Sequence, residues 1–493
     1  MSGTTIAAGL IEGDFLEDGL LLNHIDGRWV PGDGDDRRED LDPATGEPLV
    51  EVAVAAAAQA EEALAAAKAA QPGWAATSVY HRAEVFRRAA ALIRERSAQL
   101  ARTMTLEEGK PLPEAVGEVI RTAETLEVYA GLLYGPVGEV QEGHKAAAQW
   151  TFTRRVPLGV VVAISPWNFP MLLPAAKVSA ALATGNSVVL KPADPTPLTM
   201  AAFVSILVEA GVPAGAVNLV LGRGSVLGPA LLRPPAAAVT FTGGNAAGSS
   251  VAQAAVAGHM KYQLELGGNN PVLVLADADL DLVEAELTMG AIGSTGQKCT
   301  ATRRVFVVDE AFDEVSRRLQ AAFAAKRLGP GIDPETQVGP LVTAAARDEF
   351  EADVADAAAK GADVRRFGDL PDAGFFGAPT ILLEPDHRAD YVRRETFGPM
   401  VSLMRVADYA EGIERCNDTE YGLSASLFSR DLKAAIEFAH DIEAGMVHIN
   451  SQTPGAEPTM PFGGTKASSS FTREMGQYGL DWYTQLKSIY VDS

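Results

Sequence analysis

The stretch Ser294–Thr302, STGQKCTAT, holds one of only two cysteines in a chain of 493 residues. A thiolate is a strong nucleophile, and nearby positive charge promotes it. Lys298 precedes Cys299 directly, although adjacent side chains can point apart. The plainer reading is a small buried residue that fits a turn. Glu265 closes the stretch KYQLELGG, where Tyr262, Leu264 and Leu266 alternate with Gln263 and Glu265. A carboxylate at a strand end before two glycines, partly withdrawn from water, has a raised pKa and can act as a base near neutral pH. The same residue can instead be a structural carboxylate on backbone amides. Asn168 stands between prolines and aromatics in PWNFP, so its NH₂ could be aimed at a developing oxyanion. A plain asparagine turn competes with that reading. In VVLKPAD, Lys191 can bond ribose hydroxyls, and Asp194 can accept from ribose and repel a 2′-phosphate. A solvated turn would look the same. Gly243 and Gly248, in FTGGNAAG, have the spacing of a turn from strand to helix that lets an anion approach backbone amides. The full dinucleotide fingerprint G-x-G-x-x-G is absent, and a tight turn explains the glycines equally well.

These residues need a scaffold that brings them together. Four apolar strands are predicted: GVVVAI (159–164), NSVVLK (186–191), AVNLVLG (216–222) and AAAVTFT (236–242), each running into polar or glycine-rich residues. Helical segments such as AAFVSILVEAG separate them. Continuous apolar strands alternating with helices predict a parallel sheet covered on both faces, with ligands beyond the carboxyl ends of its strands. All of these polar clusters fall at that edge. A second α/β cycle begins near Asn270 with PVLVLAD and continues through RRVFVV, MVSLMRV and SASLFS. The segment from Ala55 to about Ala130 has helical periodicity, punctuated at Pro72-Gly73 and from Gly109 to Pro113. LLNHIDGRWV and WTFTRRVP read as strands, and residues 1–20 as a loose acidic lead-in. WYTQLKSIYV (482–491) reads as a strand arriving alone, to be paired with another subunit. Cys416 reads as a structural residue at a helix end.

The length predicts two or three domains. A 47% hydrophobic composition supplies a large core, and 64 Asp+Glu against 41 Lys+Arg leave a net charge of −23. Such a surface argues against nucleic acid and anionic membranes as partners. Two cysteines cannot build a disulfide framework or a four-thiolate zinc site, and no metal centre is expected. The N-terminus has no basic n-region, and no apolar run reaches membrane length, so a cytoplasmic protein is expected.

Taken together, DGRWV, DPATGEPL, SPWNFP, GNSVVLKPAD, FTGG, LELGG, GQKC, ETFGP and PFGG resemble the aldehyde dehydrogenase superfamily, in its order, from about Leu21 to Tyr490. The resemblance implies an α/β fold of three parts. These are a Rossmann-like NAD(P)-binding domain (1–136 plus 158–267), an α/β catalytic domain (268–481) and a small β oligomerisation flap (137–157 plus 482–493). It implies a homodimer or homotetramer, with the last strand paired to a neighbouring subunit. By the same resemblance Cys299 is the nucleophile and Glu265 the general base. Asn168 and the amide of Cys299 are the oxyanion donors, and Lys177 and Glu474 a proton relay. The cofactor set is Ile164, Ser165, Pro166, Trp167, Lys191, Asp194, Gly224, Phe241, Thr242, Gly243, Gly244, Gly248, Leu266, Gly267, Glu395 and Phe397. Of these, Lys191 holds the adenosine ribose and Glu395 the nicotinamide ribose. Met171, Lys298 and Thr300 are the substrate-binding set.

There are two departures. Gly244 stands where the family usually has serine, and Asp194 where NAD-preferring members carry glutamate. The cofactor expected is NAD, with NADP as the alternative. The implied reaction is oxidation of an aldehyde to a free acid through a thiohemiacetal and a thioester on Cys299. GQKCTAT, ELGGNN and FGGTKASSSFTREMG are similar to semialdehyde dehydrogenases, especially those for 2-oxoglutarate semialdehyde. Lys298, Arg154, Arg155, Arg303 and Arg304 are the candidates to hold a substrate carboxylate, with solvated or structural charge the plainer reading for most of them. A neutral or aromatic aldehyde is the alternative substrate, and a non-catalytic cofactor-binding relative the alternative class.

Overall fold

The computed structural model describes residues 10–145 and 149–492. Its frame is two seven-stranded sheets. In the first, Lys261–Glu265, Ala236–Thr242, Val160–Ile164, Ser187–Lys191 and Val217–Leu219 run parallel in that spatial order. The hairpin Asn23–Ile25 and Arg28–Val30 adds two antiparallel strands at one edge. Along Val160–Ile164 the side chains alternate between two cores. Val161 and Ala163 pack with Ala175, Val178 and Phe86, while Val160 and Val162 pack with Ala60, Leu64 and Val251. Both faces are therefore covered by helices, which is why the strands read as unbroken apolar runs.

The second sheet runs in the order Asp363–Arg366, Thr380–Leu383, Met400–Val406, Thr302–Val308, Asn270–Val274, Ser424–Phe428, Met446–Ile449. It is parallel apart from its first strand. It has its own core, built on Val272, Val305, Phe306, Leu403 and Leu427. Ahead of the strand Val160–Ile164 the chain also forms the helices Ala57–Ala76, Val79–Glu95, Ser97–Glu108 and Leu112–Leu132.

Three expectations are corrected. Residues 10–21 are not loose: Leu10, Ile11 and Phe15 are buried in the main core, and Leu16–Glu17 and Leu20–Leu21 pair as short strands. Pro72 does not end its helix, which continues to Ala76. The strand Thr484–Asp492 does not arrive alone: it pairs with Gln149–Pro157 of its own chain over its full length. Val140–Glu142 completes that three-stranded antiparallel sheet. Its exposed side chains include Trp150, Leu486 and Tyr490, so the pairing is carried by the backbone ladder more than by packing. The antiparallel pair Arg37–Leu41 and Pro48–Ala53 had no sequence signal, because RRED carries no apolar alternation.

Candidate active site

The carboxyl ends of the first sheet open on a cavity of about 1050 Å³. Ile164, Ser165, Pro166, Trp167, Lys191, Gly224, Phe241, Thr242, Gly243 and Gly244 of the expected cofactor set line it. Gly244 precedes the helix Asn245–Ala257, and a Cβ added there would meet nothing within 4 Å. The helix start thus faces open space with free amides, a ready anion site. The hydroxyls of Ser165 and Thr242 are buried there without a protein partner. Lys191 donates to the carbonyl of Pro192 (2.8 Å) and to Asp194 (3.3 Å), and burial lowers its pKa. A volume of this size, a free helix start and unpartnered donors fit a dinucleotide with its pyrophosphate at Gly244.

Not every expected cofactor residue lines this cavity. Gly248 is buried against Leu266, which packs with the core behind it. Asp194 lies in an adjoining cavity of about 490 Å³, together with Arg38 and Arg223. There Arg38 forms a short ion pair with Asp194. No sequence signal marked this pair, because Arg38 lies 156 residues away.

Glu395 and Phe397 come from the segment before Met400–Val406. Glu395 accepts from the amide of Gly268 (3.0 Å), and burial pushes its carboxyl up to about 7. A Cβ at Gly267 would meet this carboxylate, so a larger residue there would push the Glu395 side chain from its place. Phe397 packs edge-on against Trp167, ring centres 5.4 Å apart.

Cys299 follows a tight turn, Gly293–Gly296, in which Ser294 and Thr295 adopt positive φ. The thiol is half-buried and packs against an apolar collar of Leu173, Ala176, Leu423, Phe462 and Met475, against which Phe169 and Ala456 also pack. Burial pushes the thiol up to about 12, assisted by the carboxylates of Glu395 and Glu265. The amides of Thr300 and Cys299 face the sulfur and oppose that rise. Asn168 is buried, and its NH₂ donates to the carbonyl of Gln297 (2.9 Å), two residues before the cysteine. One N–H is thereby anchored and the second remains to be aimed.

Glu265 is buried at the end of its strand. One oxygen accepts from Ser469 (2.6 Å) and the other has no partner. Burial, and then Glu474, raise its pKa well above the carboxylate range. Gly463, at φ +143, passes so close that a Cβ would sit 2.8 Å from this free oxygen. Behind Glu265, Glu474 makes a short buried ion pair with Lys177. Lys177 also donates to Thr240 (3.1 Å).

The expected substrate set divides. Thr300 is buried beside Cys299, its carbonyl accepting from Thr453 (2.8 Å). Met171 turns into the main core instead of the collar, to which Leu173 belongs. Lys298 is buried and directed at Glu114 (3.8 Å), so it puts no charge at the thiol. The other basic candidates are engaged elsewhere. Arg303 donates to the carbonyls of Gly398, Met400 and Gly296, and Arg304 to those of Asn269, Arg415 and Cys416. Arg155 pairs with Asp481 (3.0 Å), and Arg154 lies exposed on Gln149–Pro157.

An unsaturated carbon held at the collar would meet a sulfur nucleophile, an amide donor and a buried carboxylate, with a dinucleotide-sized cavity alongside. Residues 29–489 match the model of the aldehyde dehydrogenase family. The chain is 37% identical to an alpha-ketoglutaric semialdehyde dehydrogenase of Bacillus subtilis (strain 168), covering 96% of this chain and 99% of that protein. It is 36% identical to a succinate-semialdehyde dehydrogenase [NADP(+)] of Escherichia coli (strain K12), covering 95% and 97%. The crystal structure of a betaine aldehyde dehydrogenase from Staphylococcus aureus in complex with NAD+ superposes with a TM-score of 0.93 at 32% identity, covering 96% and 95%. The chain belongs to the aldehyde dehydrogenase family and is an NAD(P)-dependent oxidoreductase acting on an aldehyde group.

Proposed function

We propose that the substrate is a short aliphatic aldehyde, oxidised to the free acid on Cys299. The reading rests on one observation: Cys299, Asn168 and Glu265 gather at an apolar collar beside the dinucleotide-sized cavity. The sulfur adds to the aldehyde carbon, and its proton leaves toward Glu265. The oxygen, now anionic, is met by the second N–H of Asn168 and the amide of Cys299. When bound at Gly244 and Lys191, the cofactor supplies the hydride acceptor. Glu265 passes on the proton it took from the sulfur, then takes one from water; the water oxygen attacks the thioester carbon, and the carbon–sulfur bond breaks. Lys177 and Glu474 pass that proton on. Residues 1–136 with 158–267 serve the cofactor and 268–481 the chemistry. Residues 137–157 with 482–493 form a flap that joins copies into a dimer or tetramer. Free thiols at Cys299 and Cys416 support a cytoplasmic setting.

Within aliphatic aldehydes, a semialdehyde is favoured by the names of the relatives. Its carboxylate would lie beyond the collar, where Arg121 pairs with Glu457 (3.2 Å), the residue after Ala456. Both partners are partly exposed, so this pair is weak and can be exchanged for a substrate carboxylate. Semialdehydes should then exceed neutral aldehydes of equal chain length in kcat/KM, and Arg121→Ala should remove that advantage. Equal values in the wild type would leave only the neutral reading.

The chemistry is tested by Glu265→Gln. It should release about one NADH per site in a burst, then turn over about 10²–10⁴-fold more slowly, with acylated Cys299 visible by mass spectrometry. Wild-type steady-state turnover would exclude Glu265 as the base.

A further inference from the structure

The helix Leu112–Leu132 carries Glu114 and Glu118 one turn apart, and therefore on one face. Each reaches a different loop. Glu118 is buried, and one of its oxygens accepts from the amides of Met171 (2.9 Å) and Leu172 (3.1 Å). These amides open the helix Leu172–Ala183, which has no side-chain cap of its own. A carboxylate borrowed from another helix thus satisfies orphan donors and suits the positive end of the helix dipole. The other oxygen of Glu118 binds Lys110 (2.7 Å), whose ammonium also donates to the carbonyl of Asn168 (2.8 Å) and stands over the ring of Phe169 (4.5 Å). The stretch from Asn168 to Leu172 is held by this one buried pair. Glu114, on the same face, accepts from the amide (3.0 Å) and hydroxyl (2.6 Å) of Ser294 and faces Lys298 (3.8 Å). It thereby anchors the positive-φ turn that delivers Cys299.

We propose that Glu118 with Lys110, and Glu114, are positioning residues that set the separation of the two oxyanion donors, Asn168 and the backbone amide of Cys299. The proposal rests on the reading of Asn168 as an oxyanion donor. None of the three side chains touches the aldehyde; each acts through a loop whose donor must meet the same oxygen. Two loops far apart in sequence hang from one rigid helix, so their spacing is fixed by the rise of a single turn. A misplacement near 1 Å at such a site slows chemistry about 10²-fold.

The experiment is a double-mutant cycle of Glu118→Gln with Asn168→Ala, reading the rate of the NADH burst and the KM for NAD. Glu118→Gln should slow the burst about tenfold to a hundredfold with KM for NAD within about twofold. Added to Asn168→Ala, it should slow the burst no further, because its effect runs through Asn168. If Glu118→Gln does not yield folded protein, Glu114→Gln, at the less deeply buried carboxylate, is measured by burst rate and KM, with the same split expected. A wild-type burst in the variant used, or losses that multiply in the cycle, would overturn the proposal alone. A wild-type burst in Asn168→Ala would overturn the oxyanion reading and the proposal with it.

Discussion

Cys299 and Glu265 both hold their protons more tightly than free thiols and carboxyls do, chiefly because burial disfavours the charged forms. In the roles proposed for them both act deprotonated, so raising the pH increases the fraction of each that can react. In the cofactor-free protein, alkylation of Cys299 by iodoacetamide should be slow at neutral pH and rise continuously toward pH 10 and above. Cys299→Ala provides the background, since Cys416 is buried. A plateau near pH 7 would mean a thiolate already formed at rest, and would place a cation near the sulfur. Lys298 is not that cation in this structure, because its ammonium is turned toward Glu114.

Among elements, the strand Thr484–Asp492 is held by a nine-residue ladder to Gln149–Pro157 while leaving Leu486, Tyr490 and Val491 in solvent. Trp150 and Val140 add to the same small sheet. Exposed apolar side chains on an antiparallel sheet with open edges call for a covering surface. Removing residues 486–493 should shift sedimentation velocity toward a smaller species while NAD binding is retained. An unchanged sedimentation profile would separate this sheet from assembly. The first parallel sheet carries no such exposure, since helices cover it on both faces.

On the scale of the whole molecule, cofactor binding couples to stability, because the cavity draws on strands and helices from across the first sheet. A ligand that binds only the folded state stabilises it by about 2.7 kcal/mol at a hundredfold excess over Kd. NAD should therefore raise Tm, and NADP should too if Arg38 offsets Asp194. Arg38→Met should shrink the NADP shift, and weaken NADP in a fluorescence titration, with the NAD values unchanged. Equal losses for both cofactors would make Arg38 a purely structural residue. The parallel sheets, their ligand-bearing edge and the family's motifs were legible in the chain itself. Continuous apolar strands record burial on both faces, and glycines and prolines mark the turns between elements. The directions of Lys298 and Met171, the pairing of Arg38 with Asp194, the hold of Glu118 on residues 168–172 and the partner of the last strand were decided only by the tertiary structure. Each depends on which distant groups share a desolvated space, and periodicity along the chain reports which face is buried but not what it is buried against.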